Sequence, residues 1–308
     1  MFAFIIRRII NTVLIMFGVA TVGFFLVRAL PGDPVRVQLG QRADEQTVQA
    51  LREQYGLNKP MIVQYWLFLE RLVHGDLGNS IASNRSVLGT IKEKMVASAI
   101  LAFVSMSLAV LLGIVLGVLS AVKANTWLDT VFMGIAQFGI SQPSFVMAIY
   151  FVILFSIVLP WFPAAGYITR GIAYLVLPMV VLGIRPLSII ARVTRSSMLD
   201  VLGQDYVRTA KAKGLTQSTV IIRHVLRNAL NPVATTVGTW LAGLLSGAFF
   251  IEFQFYWPGL GSAAIDALGK EDYPMLMGTV LFSAFIFVMV NFLTDILYAY
   301  LDPRIKLS

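Results

Sequence analysis

The sequence predicts an all-α membrane protein with six transmembrane helices, and three observations support this fold class. Of the 308 residues, 57% are hydrophobic and 13% are charged, whereas a typical soluble domain has about 25% charged residues. The apolar residues are concentrated in runs of about 20, the length that an α-helix needs to cross a bilayer. Basic residues collect in alternate loops between these runs, as is typical of the cytoplasmic side of a membrane protein.

Six apolar runs are long enough to be spans. They cover residues 9–30, 99–122, 131–159, 173–191, 229–250 and 279–301. The first run is longer than the apolar core of a signal peptide, so we interpret it as a retained span. The third run is long for a single crossing, and Pro143 should kink it. Two shorter membrane segments are the alternative at this point, and they would reverse the orientation of everything downstream.

Charge favours six spans with the N-terminus and the C-terminus both in the cytoplasm. In this topology the cytoplasmic pieces carry many more basic than acidic residues, whereas the outside loop 251–278 has Lys270 against four acidic residues. The positive-inside bias then explains the net charge of +8. We therefore predict a chain that contacts the lipid bilayer and has no nucleic-acid partner.

Composition excludes several chemistries. The sequence has no cysteine, and its two histidines, His74 and His224, lie in different loops, so we predict no metal site and no catalytic residues. No Gly-x-x-x-x-Gly-Lys-Ser/Thr motif occurs, so the chain does not bind ATP through a phosphate loop of that kind. A secondary transporter that works alone would show a series of intramembrane ionisable residues or inverted repeats, and neither is visible.

The first outside loop, residues 31–98, is large enough to form a periplasmic helical subdomain. Asp44 can cap a helix that reaches Tyr55, and Gly56 can end it. The apolar stretch Met61–Val73 is too short to span a membrane and predicts an interfacial helix. A further short helix is expected at 262–268, after the fifth span.

A polar, basic segment interrupts the apolar runs between the fourth and fifth spans. Gly214 can end one short helix before another begins, and small residues at Ala210, Ala212 and Gly214 permit another backbone to approach. A solvated basic loop is the alternative that composition alone supports. The segment reads Asp205-Tyr206-Val207-Arg208-Thr209-Ala210-Lys211-Ala212-Lys213-Gly214-Leu215, and its second part ends in Arg223-His224-Val225-Leu226-Arg227-Asn228-Ala229-Leu230-Asn231-Pro232.

The residue order of this segment resembles the "EAA" coupling loop of ABC importer permeases in its peptide-permease form. Other stretches are similar to the same family along essentially the whole chain. They include Leu30-Pro31-Gly32-Asp33-Pro34, His74-Gly75-Asp76-Leu77-Gly78, Trp257-Pro258-Gly259-Leu260-Gly261, Asp272-Tyr273-Pro274 and Asp302-Pro303-Arg304-Ile305. Together they resemble the B-type permease subunit of dipeptide, oligopeptide and nickel importers, a group that includes glutathione importers.

The resemblance implies a fold, a location and partners. It implies the type I ABC importer permease fold in a bacterial inner membrane: residues 1–30 hold the first span, and 99–308 form the transmembrane core with a coupling loop at about 200–228. The implied partners are a second, homologous C-type permease, two cytoplasmic ATPases that bind ATP and Mg, and an external binding protein. This chain would bind no cofactor itself. Di- and oligopeptides or glutathione-like peptides are the expected solutes, with nickel as the alternative.

The resemblance also implies which residues couple the permease to ATP hydrolysis. The expected coupling residues are Asp205, Arg208, Thr209, Ala210, Lys211, Ala212, Lys213, Gly214 and Leu215.

Polar residues within the predicted spans are candidates for the translocation path. Arg185 is the sharpest of them, because an intramembrane arginine is costly unless it faces water, an opposite charge or backbone carbonyls. It could attract the carboxylate of a peptide, or it could snorkel to the inner surface or pair with the partner permease. The other candidates are Gln137, Ser141, Gln142 and Thr239.

Two further features have both a functional and a structural interpretation. Glu252 and Trp257 could form an outer gate or contact the binding protein, but Glu252 could equally make a hydrogen bond at a helix end, and Trp257 is typical of a membrane interface. Gly113 and Gly117 form a Gly-x-x-x-Gly pair, which favours helix packing over a ligand site.

Overall fold

The structure of the chain is a computed structural model that describes residues 2–29, 35, 44–54 and 56–301. In this part of the chain all regular structure is helical, apart from one isolated bridge between Asn79 and Ser86. The all-α prediction is therefore confirmed. The motifs at 30–34 and 302–305 and the helix end predicted at Tyr55 lie outside the described residues.

The structure describes the following helices. In chain order they are α1 (Phe2–Ala29), α2 (Glu45–Gln54), α3 (Met61–Val73), α4 (Val87–Val122), α5 (Trp127–Ser141), α6 (Ser144–Val152), α7 (Ala173–Leu202), α8 (Asp205–Ala212), α9 (Gln217–Thr219), α10 (Arg227–Leu245), α11 (Phe249–Gln254), α12 (Leu260–Gly269) and α13 (Tyr273–Leu301). Two π-helical segments, Ile153–Val158 and Val220–Leu226, continue α6 and join α9 to α10, and Ile168–Arg170 is a 3-10 turn.

Four helices among the described residues are long and apolar enough to cross a membrane. They are Ile6–Ala29, Val87–Val122, Ala173–Leu202 and Tyr273–Ile296. A fifth span results if α5 and the helix after it are counted as one broken crossing. These helices overlap the first, second, fourth and sixth predicted spans.

The third predicted span is broken much more sharply than a kink. Its two arms, Trp127–Ser141 and Ser144–Val158, meet at 105°. Gln142, which precedes Pro143, is in an extended conformation (φ −94°, ψ 136°), because the proline ring disfavours helical geometry at the preceding residue. The geometry is compatible with one broken span or with a re-entrant pair, so the six-span count and the orientation of the chain stay predictions.

The fifth predicted span, 229–250, is not one helix. Helix α10 ends at Leu245, and Gly247 follows with φ +112°, a conformation that glycine adopts without a steric penalty. Helix α11 then begins at Phe249. Polar residues such as Asn231 and Thr235 also make α10 less apolar than the four helices above.

The described residues form two compact units. One contains the chain up to Ser98 together with Ser246–Val288, and the other contains Ala99–Leu245 together with the chain from Met289. In one buried cluster of the first unit, α1, α3 and the start of α13 pack together. Its members are Ala20, Phe24, Val27, Tyr65, Tyr273, Met277 and Leu281.

Helix α7 is central to the second unit, where it packs against α5, α6 and α10. It also lies against the two glycines of α4. A Cβ atom added at Gly113 would lie 2.9 Å from the carbonyl oxygen of Leu187, and one added at Gly117 would lie 2.6 Å from that of Ala191. Both distances are shorter than van der Waals contact, so this glycine pair permits close helix packing, as the sequence predicts.

Candidate functional site

The basic segment after α7 is a short helix, a glycine turn and a second helix. Helix α8 begins at Asp205, and Gly214 follows its end with φ +78°. Thr216 then caps the next helix, because its hydroxyl accepts a hydrogen bond from the Thr219 backbone N–H at 3.4 Å. The break at Gly214 is where the sequence predicts it.

This segment has an inner face that packs on its own unit. Val207 is fully buried and Ala210 is 6% exposed. Both belong to a cluster with Ala121, Met198, Val220, Val225 and Ala229. The small size of Ala210 is therefore explained by packing within the chain, while Ala212 and Gly214 are the small residues open to a partner.

The outer face of the segment is exposed and mainly polar. The exposed candidates are Asp205, Arg208, Thr209, Lys211, Ala212, Lys213, Gly214 and Leu215. The one ion pair described on this face joins Arg208 to Asp205 at 3.8 Å, and both side chains are at least three-quarters exposed. Exposed pairs of this kind contribute little to stability, so these charged groups remain available to a partner.

Tyr206 links α8 to the helix that follows it. Its hydroxyl accepts a hydrogen bond from Asn228 Nδ2 at 2.7 Å and donates one to the carbonyl oxygen of His224 at 3.4 Å. Asn228 Nδ2 also donates to that carbonyl, at 3.3 Å. Sequence reasoning did not assign a role to this contact, although both residues lie within the recognised motif.

A partly buried ion pair lies elsewhere in the same unit, and the sequence did not indicate it as a site. Arg195 makes two parallel hydrogen bonds to Asp129, from Nε to Oδ1 and from Nη2 to Oδ2, both 2.7 Å. The Asp129 carboxylate also accepts hydrogen bonds from the Ser120 hydroxyl and, at 2.9 Å, from the Asn125 backbone N–H. The pair therefore fixes the turn after α4 and the start of α5 to α7. In the sequence these two residues stand out only as loop charges.

The candidate residues for the translocation path contact different neighbours and do not form one cluster. Gln137 and Ser141 are hydrogen-bonded neighbours on α5, and Gln137 Oε1 accepts a hydrogen bond from Arg192 Nη1 at 3.2 Å. Arg185 is exposed, with its guanidinium carbon 5.9 Å from the centre of the Trp240 ring. This distance is within the range of a cation–π interaction.

Two other path candidates have local explanations. Thr239 donates a hydrogen bond to the carbonyl oxygen of Thr235, one turn earlier in α10. Gln142 is half-buried at the break between α5 and α6. The described hydrogen bonds and ring contacts join none of Gln142, Arg185 and Thr239 to another of the three.

A cavity of about 420 Å³ lies beside the Asp129–Arg195 pair. Its lining combines apolar residues with Arg192, Arg195 and Ser196. Both arginines already have partners, Gln137 and Asp129 respectively. In the described part of the chain, no group of three or more His, Asp or Glu side chains could hold a metal ion.

Glu252 is buried at a helix end in the first unit. It is 1% exposed, and its carboxylate accepts hydrogen bonds from Ser98 Oγ (2.7 Å) and from the backbone N–H groups of Gly261 (2.7 Å) and Ser262 (3.2 Å). Burial raises the pKa of Glu252, and these hydrogen bonds oppose the rise. The geometry is that of the helix-end hydrogen bond which the sequence left open.

Trp257 is also buried, with 0% of its surface exposed. Its indole Nε1 donates a hydrogen bond to the carbonyl oxygen of Ala97 at 2.8 Å. A Cβ atom added at Gly259 would collide with the Glu252 carboxylate, which explains the glycine in this motif. Neither Glu252 nor Trp257 presents a surface to another protein in this structure.

Asp272 has a similar role that sequence reasoning missed. Its carboxylate accepts hydrogen bonds from Ser80 Oγ at 2.5 Å, from the Ile81 N–H at 3.1 Å and from the Met275 N–H at 3.3 Å. It therefore caps α13 and ties the loop before α4 to it. The Ser80 contact joins residues 192 positions apart, so no local pattern could indicate it.

Comparison with known proteins gives matches along the whole chain. The family model "binding-protein-dependent transport system inner membrane component" matches residues 113–307, and the model for the N-terminal part of such membrane components matches residues 1–109. The dipeptide transport system permease protein of Alkalihalophilus pseudofirmus is 38% identical, over 99% of this chain and 100% of that protein. The glutathione transport system permease protein of Shigella flexneri is 37% identical, over 99% of both chains.

Solved structures share the fold at lower sequence identity. A methionine ABC transporter in inward facing conformations is similar with a TM-score of 0.58 and 19% identity, over 70% of this chain and 97% of that one. With the apolar helices, these matches identify a multi-pass inner membrane protein, an ABC importer permease with no ATPase site of its own. The chain belongs to the family of binding-protein-dependent transport system inner membrane components.

Proposed function

We propose that this permease imports di- or oligopeptides, or glutathione-like peptides. We further propose that it works with a second, homologous permease, two cytoplasmic ATPases that bind ATP and Mg, and an external binding protein. The substrate class is supported by the two relatives named for dipeptide and glutathione transport, which match at 37–38% identity over nearly the whole chain. The binding protein selects the solute before the permease receives it.

One observation carries the coupling role of the segment Asp205–Leu215. Its inner face is packed into the chain's own apolar cluster, while its outer face leaves charged residues and two small residues exposed. A partner can bind the outer face. When that partner moves, the packed inner face transmits the movement to the helices on either side. Rigid-body motion of this kind is a common way to switch a protein between two states.

We also propose that polar side chains of the second unit line the translocation path. Arg185 offers an exposed guanidinium beside Trp240, and Gln137 with Ser141 offers amide and hydroxyl groups on α5. Thr239 and Gln142 complete the proposed polar lining. The peptide's carboxylate would be attracted by Arg185, so Arg185→Glu should reduce uptake sharply while assembly is preserved. Unchanged uptake kinetics would contradict this role.

The coupling proposal is tested by crowding the outer face without disturbing the inner one. Ala212 is exposed, so Ala212→Trp should fold and assemble normally but abolish peptide uptake and its stimulation of ATP hydrolysis. Lys123→Trp, an exposed position in the turn after α4, is the matched control. The complex is reconstituted in vesicles with binding protein and peptide, and uptake and ATPase rates are measured.

A second pair of variants separates backbone strain from contact with a partner. An added side chain at Gly214 meets no atom within 4 Å, but the residue has positive φ. Asparagine and aspartate both tolerate this conformation, and they have the same size. Gly214→Asp should uncouple uptake by placing a negative charge on the partner's surface, and Gly214→Asn should be milder. Normal uptake by Gly214→Asp and Ala212→Trp would refute the assignment.

A further inference from the structure

A second cavity, of about 410 Å³, lies within the first unit and has no role in the proposed transport mechanism. Its walls come from the end of α1, from α3, from the loop after α3 and from the first turns of α13. The volume is within the range of small-molecule sites. The lining is partly apolar and partly polar, and its chemistry is carried by Arg28, Gln64, Arg71, Asp76 and Tyr273.

Two guanidinium groups line this cavity. That of Arg28 is held between aromatic rings, with its carbon 5.7 Å from the centre of the Phe24 ring and 5.8 Å from that of Tyr273. Arg71 uses Nε to donate to the carbonyl oxygen of Leu67 at 3.3 Å. No ion pair of either arginine is among those of the described residues. Such guanidinium edges suit an oxyanion, which accepts paired N–H donors.

The same cavity also offers acceptors that require a donor. Gln64 Oε1 is buried and has no hydrogen-bond partner among the described residues. Its amide orientation is fixed, because Nε2 donates to the carbonyl oxygens of Leu57 (3.2 Å) and Lys59 (2.8 Å). Asp76 accepts from the Gly78 N–H through Oδ1, which leaves Oδ2 for another donor. A carboxylate oxygen at an exposed position suits a cationic donor, so an ammonium is the matching ligand end.

The position of the cavity indicates where such a ligand comes from. Arg28 lies in the last turn of the apolar helix Ile6–Ala29, and Tyr273 begins the apolar helix Tyr273–Ile296, so the cavity lies at the level of lipid headgroups. Nearby side chains that face outward are apolar, among them Leu26 and Trp66. Exposed apolar side chains of this kind can contact the acyl chains of a lipid.

We propose that this cavity binds the headgroup of an amine-bearing phospholipid such as phosphatidylethanolamine. The phosphate accepts hydrogen bonds from Arg28 and Arg71, and the ammonium donates to Asp76 Oδ2. A free dipeptide has the same zwitterionic chemistry, with a carboxylate in place of the phosphate. The lipid is favoured because the cavity lies at the ends of two apolar helices, beside exposed apolar side chains.

The test measures ligand-induced thermal stabilisation of the full, delipidated complex in detergent. Short-chain phosphatidylethanolamine should raise the unfolding temperature and bind at least about tenfold more tightly than short-chain phosphatidylcholine, whose quaternary ammonium has no N–H to donate. Arg28→Gln and Arg71→Gln should each weaken binding of the ethanolamine lipid by about tenfold or more. Arg85→Gln is the matched control, because Arg85 is exposed, pairs with Glu93 at 2.8 Å and does not line the cavity.

Three results would overturn the proposal. Equal binding of the two lipids would show that the cavity does not recognise the ammonium group. Arg28→Gln and Arg71→Gln could bind the lipid as tightly as the wild type does, with unfolding temperatures like that of the wild type before lipid is added. This result would show that the two arginines do not bind the phosphate. A dipeptide that displaces the lipid at equal concentration would assign the cavity to solute instead. If an arginine variant does not fold, the preference of the wild-type protein for ethanolamine over choline still decides the question.

Discussion

The proposed coupling segment, Asp205–Leu215, and the Glu252–Trp257 region are both recognisable as motifs in the sequence, yet their polar side chains have opposite surroundings in the structure. Glu252 and Trp257 direct their polar atoms to groups of the same unit and leave almost no surface exposed. The coupling segment buries only Val207 and Ala210 and leaves its charged side chains in solvent.

The difference separates two reasons why a residue can belong to a motif. A buried polar group with all its partners in its own chain stabilises the fold, and removing it leaves buried donors without acceptors. Exposed charges on a packed base contribute little to stability but are available to a partner. Substitutions in the first region should therefore reduce stability, and substitutions in the second should reduce transport. Four predictions, ordered by their effect on stability, test this distinction.

The largest effect is expected at Glu252. Glu252→Ala removes the acceptor for the Ser98 hydroxyl and for the N–H groups of Gly261 and Ser262. Since each buried donor left unpaired costs about 1–3 kcal/mol, we expect a loss of about 3–5 kcal/mol in the free energy of unfolding. Thermal unfolding and the yield of folded complex measure it, with the exposed Asp266→Ala as control. Normal stability with lost response to the binding protein would instead favour a gate.

The next effect is expected at the Asp129–Arg195 pair. Asp129→Asn leaves the partly buried guanidinium of Arg195, 26% exposed, without its counter-charge, and we expect a loss of about 2 kcal/mol. The exposed pair of Arg85 and Glu93 has a similar distance, 2.8 Å, but both side chains are 60% exposed, so Glu93→Gln should cost less than about 1 kcal/mol. Unfolding of the two variants is compared directly. Equal losses would show that burial does not decide the strength of these pairs.

How much the sequence reveals depends on the distance along the chain between the residues involved. The helices follow from apolar runs, and the turn at Gly214 follows from the residues beside it, so both are predictable. The bond from Ser98 to Glu252 spans 154 positions and that from Arg195 to Asp129 spans 66, and no local pattern reports which groups meet. Pro143 likewise predicts a kink, but no local pattern reports that the two arms meet at 105°.

A smaller effect is expected at Tyr206. Tyr206→Phe removes one hydroxyl that bonds Asn228 and His224 at a partly exposed site, where water can replace the lost partner. We expect a loss of about 1 kcal/mol and faster hydrogen exchange in α8. Tyr256→Phe, at an 80% exposed tyrosine, is the control. If Tyr206→Phe is as stable as the wild type but fails to stimulate ATP hydrolysis, its hydroxyl serves the partner instead of the fold.

The smallest effect on stability is expected for the exposed lysines of the coupling segment. Reversing both charges, with Lys211→Glu and Lys213→Glu, should change the free energy of unfolding by no more than about 0.5 kcal/mol. Because a partner's carboxylates would then face like charges, peptide uptake should fall by about tenfold or more. Lys123→Glu reverses an exposed charge in the turn after α4 and should leave uptake intact. If the double variant transports normally, the outer face of this segment is a solvated surface and not a partner's binding site. If the variant unfolds, the charges of this segment stabilise the fold, and the distinction between the two regions is wrong.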